Sequence, residues 1–105
     1  MKKVGKAARG SSTGRPIMVL LDILGQRWTL RILWELRGER LTFRELQDRC
    51  DNVSPTSLNL RLKQLRHANL VDHNDDGFGF TPWGHELGNQ LTILSKWSDE
   101  WGESF

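Results

Sequence analysis

A chain of 105 residues with a formal charge of +2 is sized for one domain and is large enough to bury a real core. Its single cysteine, Cys50, excludes an internal disulfide and supplies no zinc motif, so a reducing cytoplasm is the simplest setting. The small net charge conceals a division: residues 1–16 carry +5 with no acid, residues 27–66 carry +4, and the tail from Asp72 onward carries −6, Asp22 supplying the remaining −1. The basic half suits a polyanion, from which the acidic half should face away.

Residues 1–14, MKKVGKAARGSSTG, are poor in apolar groups and are predicted to form a disordered basic tail ahead of a domain at 15–105. An arm lying along a DNA backbone and a merely solubilising tail both fit that composition. Pro16 opens a first helix in which Ile17, Leu20, Leu21 and Leu24 repeat at i, i+3, i+4 and i+7, and Gly25 closes it. Its segment IMVLLDIL is too short to span a bilayer, holds Asp22 and lacks a small-residue cleavage pattern, so neither anchor nor signal peptide is expected. A second helix is predicted from about Gln26 to Arg37, stacking Trp28, Ile32 and Leu36 with Leu33 beside them and ending at Gly38. Met18, Val19, Leu30 and Trp34 add apolar surface outside these stripes, so part of the two helices is expected to meet a second subunit.

The stretch from Leu41 to Asn69 carries the densest punctuation. Thr42 is a good N-cap, Glu45 three residues on can reach back to the Thr42 amide, and Leu41 with Leu46 can form a hydrophobic staple. This third helix runs out near Cys50, before the turn-favouring Asp51 and Asn52. Ser54 caps a fourth helix, Pro55 takes its first position, and Val53 with Leu58 repeats the staple. With Leu58, Leu62 and Leu65 buried, about 100° per residue turns Thr56, Asn59, Leu60, Lys63, Gln64 and His67 outward. Any surface helix has a polar outer face. Here a capped helix precedes it across a short turn, the arrangement whose second helix enters the DNA major groove. In that reading Thr56, Ser57, Asn59 and Leu60 touch base edges, and Arg61 and Lys63 meet phosphates or flanking edges. Thr42, Arg44 and Ser54, at the starts of the two helices, complete the candidate DNA-binding set. Leu60, an aliphatic side chain facing out, suits a thymine methyl group.

Leu70 to Asp72 and Phe78 to Phe80 are short β-like runs separated by His73-Asn74-Asp75-Asp76-Gly77, and Asp-Gly there signals a hairpin. A hairpin after a reading helix is the wing of a winged helix-turn-helix, so the fold class is mainly α with a small β-hairpin. Thr81 then caps and Pro82 starts a last helix carrying Leu87, Leu91, Leu94, Trp97, Trp101 and Phe105 at spacings of three and four. That stripe is too long for a small domain to cover. Its distal half, Leu94, Trp97 and Trp101, is predicted to join Ile17, Leu20 and Leu21 in a dimer seam, the alternative being that the tryptophans fold back on the first helix.

Several separated motifs together carry a resemblance. The run Leu21-Asp22-Ile23-Leu24-Gly25-Gln26-Arg27-Trp28-Thr29, the Leu-Thr-Phe-Arg-Glu-Leu start, Val53-Ser54-Pro55 with Leu58, Arg61, Leu62 and Leu65, and Thr81-Pro82-Trp83-Gly84 resemble the HxlR-type winged helix-turn-helix regulators of bacteria, relatives of the MarR group. The resemblance covers residues 15–105. It implies a homodimer assembled through the first and last helices, binding an inverted-repeat operator on double-stranded DNA, and often repressing a neighbouring gene. Two departures stand out. Many members have Cys-Pro ahead of the first helix, some sensing oxidants or aldehydes with that cysteine, and here Arg15 precedes Pro16. The wing is short, and Asp75 and Asp76 at its tip would repel phosphates.

No enzyme is expected: His67, His73 and His85 lie apart without paired carboxylates or metal-ligand spacing, and no glycine-rich phosphate loop is present. No cofactor or metal is implied, and the residues identify no small-molecule effector, although the resemblance leaves room for one. The competing reading is a winged-helix protein-interaction adaptor that works through its tryptophan-rich surface. Asn59, Lys63 and the basic first half favour DNA.

Overall fold

All three prolines of the chain stand at the first turn of a helix, where a missing N–H costs nothing. The computed structural model describes residues 14–105, so the expected basic tail lies, apart from Gly14, outside the described residues. The order of elements is α1 (Pro16–Leu24), α2 (Thr29–Glu35), α3 (Phe43–Arg49), α4 (Pro55–His67), β1 (Val71–Asn74), β2 (Gly77–Phe80) and α5 (Pro82–Gly102). This is a winged helix-turn-helix, with α3 and α4 as the helix pair and β1–β2 as the wing.

Local chemistry sets most of these boundaries. Thr42 Oγ1 accepts the Glu45 amide at 3.1 Å while Glu45 Oε1 accepts the Thr42 amide at 2.9 Å, the reciprocal cap read from the sequence. Ser54 Oγ accepts from the Ser57 amide, and Thr81 Oγ1 from the Gly84 amide. Each such cap contributes about 1 kcal/mol. The α3–α4 turn places Asp51 and Asn52 at φ of 56° and 59°, and the Asn52 amide returns to the Gln47 carbonyl at 2.9 Å. Helix α4 ends in the same manner: Asn69 adopts φ 62°, and the Leu70 amide reaches the Leu65 carbonyl at 3.0 Å.

The core gathers Ile32, Leu33 and Leu36 from the α2 region, Leu46 from α3, Leu58, Leu62 and Leu65 from α4, Val71 and Phe80 from the wing, and Leu91 from α5. Cutting one of the α4 leucines to alanine should cost about 2–5 kcal/mol, because each is wholly enclosed. Helix α5 approaches the wing closely. A Cβ on Gly84 would strike the Leu70 carbonyl oxygen, so only glycine permits that approach.

Two sequence expectations need correction. The second helix is shorter than Gln26–Arg37: it begins at Thr29, and Trp28, at φ 76°, is its left-handed N-cap. Gln26 and Trp28 belong instead to a turn in which the Gln26 amide bonds the Ile23 carbonyl and the Thr29 amide bonds the Gln26 carbonyl. Burial of Thr29 and packing of Trp28 against the core outweigh the local cost of that backbone. The wing is also longer than expected. His73 and Asn74 extend β1, pairing with Phe78 and Gly77, and the loop shrinks to Asp75 and Asp76. Asn74 Oδ1 accepts the Asp76 amide at 2.8 Å, so the asparagine side chain shapes a turn assigned in advance to Asp-Gly.

Candidate nucleic-acid interface

Capping fixes where α4 begins, and its three buried leucines fix how it is rotated. The surface left outward holds Thr56, Asn59, Leu60, Lys63 and His67, all exposed, on a helix with no acidic residue. Thr56, Asn59, Leu60 and Lys63 come together with Phe43 and Pro55 around one shallow depression between the start of α3 and the N-terminal part of α4. Arg44 is exposed on α3 beside Phe43, and among the described residues neither Arg44 nor Lys63 is engaged in an ion pair.

Three other cations of the basic half are ion-paired within the chain. Arg31 pairs with Glu35 at 2.9 Å and Asp51 at 3.1 Å, Arg49 with Glu39 at 2.8 Å, and Arg40 with Asp72 on the wing. Hydrogen bonding to Glu35 holds the Arg31 guanidinium above its ordinary pKa. These pairs are partly or largely exposed and add little stability each. Arg44 and Lys63 on the α3–α4 surface are outside these pairs and remain exposed.

The remaining predicted residues separate into two groups. Thr42 and Ser54 are exposed, but their oxygens already serve as helix caps. The backbone hydrogen bond from Thr42 holds the Glu45 carboxylate below its ordinary pKa. Ser57 and Arg61, four apart, occupy a different flank of α4 from the depression. Arg61 was expected to meet phosphates or flanking edges. Its Nε instead donates to the Arg27 carbonyl at 2.8 Å and its Nη1 to Gln64 Oε1 at 3.1 Å, so it braces the turn before α2. Phe43, which the sequence analysis did not place at the site, packs against the core and also lines the depression. It is half-buried.

The residues predicted for a dimer seam lie elsewhere. Ile17, Leu21, Leu94, Trp97 and Trp101 are each at least half exposed, with Leu20 half-buried. Trp97 and Trp101 stack along α5 with ring centroids 5.9 Å apart, and Phe105 meets Trp101 edge-on. The tryptophans do not fold back over α1. Leu30 and Trp34 add exposed apolar surface on α2, the Arg37 guanidinium lying 3.4 Å above the Trp34 ring.

The sequence model of the HxlR-like helix-turn-helix family matches residues 23–105. The chain belongs to that family. It is 30% identical over 88 residues to the uncharacterized HTH-type transcriptional regulator YvaP of Bacillus subtilis, covering 77% of this chain and 82% of that one. Its fold is similar to quinone-bound YodB from B. subtilis, with a TM-score of 0.73 at 24% identity over 80% of this chain and 96% of that one. It is likewise similar to a possible HxlR family transcriptional factor from Thermoplasma volcanium, with a TM-score of 0.70 at 24% identity over 80% of this chain and 82% of that one. HxlR members are DNA-binding transcriptional regulators rather than enzymes. Among the described residues of this one, no helix is long and apolar enough to cross a membrane.

Cys50 caps the end of α3 and is fully enclosed. Burial pushes its thiol above the ordinary value, Glu35 and Asp51 add to the rise, and Arg31 opposes it. The opposing cation, Arg31, comes from α2.

Proposed function

We propose that this HxlR-family regulator binds an inverted-repeat operator as a homodimer, one α4 in the major groove of each half-site, and acts as a repressor. The carrying observation is the acid-free outer face of α4, where Thr56, Asn59, Leu60 and Lys63 stand exposed on a helix capped at its start and anchored by three leucines. Asn59 can pair with an adenine edge, Lys63 and Arg44 supply charge toward phosphate, and the hydroxyls of Thr42, Thr56 and Ser54 can still donate to the backbone. Ser57 and Arg61 act in this reading as flanking contacts, Arg61 chiefly by orienting the helix.

The exposed apolar residues of α1 and α5 support the homodimer, since monomeric proteins rarely leave so many large apolar side chains in water. A two-fold axis through them would present two reading helices to a palindrome. Repression follows if such an operator overlaps a promoter. The adaptor reading would need the tryptophan surface to hold a different protein and α4 to have little affinity for DNA. Selection from a random duplex library separates the two: the proposal expects recovery of an inverted repeat, and an unenriched library would favour the adaptor.

A further inference from the structure

Half of the residues lining the depression on the reading surface are apolar, which is unusual for a surface expected to meet a polyanion. Phe43, Pro55 and Leu60 line it together with Thr56, Asn59 and Lys63. Leu60 keeps 46% of its surface in water and Phe43 is half-buried, so the hollow is open to an incoming group. No carboxylate lines it, and Lys63 and the nearby Arg44 give it the charge that complements a phosphate backbone.

A major groove presents few apolar groups, and the one that projects furthest is the 5-methyl of thymine. We infer that the Phe43–Leu60 hollow is a thymine-methyl pocket that sets operator specificity, resting on the reading of α4 as a major-groove helix. Asn59 and Thr56, which also line it, supply hydrogen bonds to the same or the adjoining base pair, so a thymine beside an adenine step would engage apolar and polar lining together. The discrimination comes from hydrocarbon contact. It is therefore insensitive to salt, in contrast to the contribution of Lys63.

The test uses the full-length protein and a duplex recovered from a random library, resynthesised with deoxyuridine in place of each thymidine in turn, a change that removes only the methyl. At one position in each half-site the substitution should weaken wild-type binding about fourfold, the worth of one buried hydrocarbon carbon. Leu60→Ala should bind the thymine and uracil duplexes equally, with circular dichroism unchanged because the side chain lies at the surface. Equal affinity of wild type for thymine and uracil at every position would overturn the pocket and leave α4 as a reading helix. A fourfold preference that persists in Leu60→Ala would also overturn it. Failure to recover any duplex would overturn the pocket together with the DNA-reading assignment.

Discussion

Leu41 and Phe78 exchange both of their backbone hydrogen bonds, 3.0 Å from the Leu41 amide to the Phe78 carbonyl and 2.8 Å from the Phe78 amide to the Leu41 carbonyl. The wing is thereby bonded to the residue just before the α3 cap. Arg40 reinforces the junction by donating to the Gly77 carbonyl and pairing with Asp72. Whatever moves the hairpin also moves the start of the helix pair.

Gly77 sits at this junction with φ 114°, and a Cβ there would collide with the Leu41 carbonyl. Gly77→Ala is expected to destabilise the fold by about 2 kcal/mol or more, combining backbone strain with the lost close approach. Thermal unfolding checks this. A variant as stable as wild type would mean that the Leu41–Phe78 pairing is dispensable.

The homodimer makes a separate prediction. Trp97→Ala and Trp101→Ala should shift sedimentation toward monomer and lower operator affinity, since two half-sites bound as one unit gain effective concentration. Both residues are exposed, so neither change should weaken the monomer fold. A wild-type chain that sediments as a monomer at about ten micromolar would contradict the seam, because a stable dimer dissociates well below that range.

Cys50 is predicted to be structural. Its folded pKa is raised, so its stabilising contribution is complete below the unfolded thiol value of about 8.5 and is lost as pH climbs through the folded value. The stability advantage of wild type over Cys50→Ala should therefore narrow above about pH 8.5. Operator binding should withstand peroxide and aldehyde. Inactivation that Cys50→Ser escapes would instead make the protein a redox switch.

Arg61 offers a contrast within the candidate site. Arg61→Ala should lower stability by about 1 kcal/mol through loss of its hydrogen bond to the Arg27 carbonyl, with a smaller change in salt dependence than Lys63→Ala. Urea unfolding beside a salt titration distinguishes the roles. An unchanged unfolding midpoint with a reduced salt slope would return Arg61 to the phosphate contacts.

Features decided by near neighbours in the chain were legible in advance. The Thr42–Glu45 exchange, the Ser54-Pro55 and Thr81-Pro82 starts and the leucine stripe of α4 each depend on residues within a turn or two of one another. Features decided by distant residues were not. Trp28 takes a left-handed backbone without being glycine because Thr29 and the surrounding core fix it, and Arg61 turns inward because Arg27 lies beside it in space alone. The extent of the wing strands was underestimated because β1 ends in polar His73 and Asn74, held in the strand by Phe78 and Gly77 opposite. Phe43 shows the same limit at the site: periodicity records that a side chain is apolar but not how far its wall stands open.

The most direct measurement is the affinity of wild type, Asn59→Ala and Lys63→Ala for a selected duplex and its single-base variants, each across a salt series. If α4 reads the major groove, Lys63→Ala weakens all duplexes alike and reduces the salt slope by about one ion, while Asn59→Ala costs about 1–3 kcal/mol and relaxes preference at one base position. Equal, sequence-independent losses from both substitutions would contradict direct readout by Asn59 and the placement of α4 in the groove.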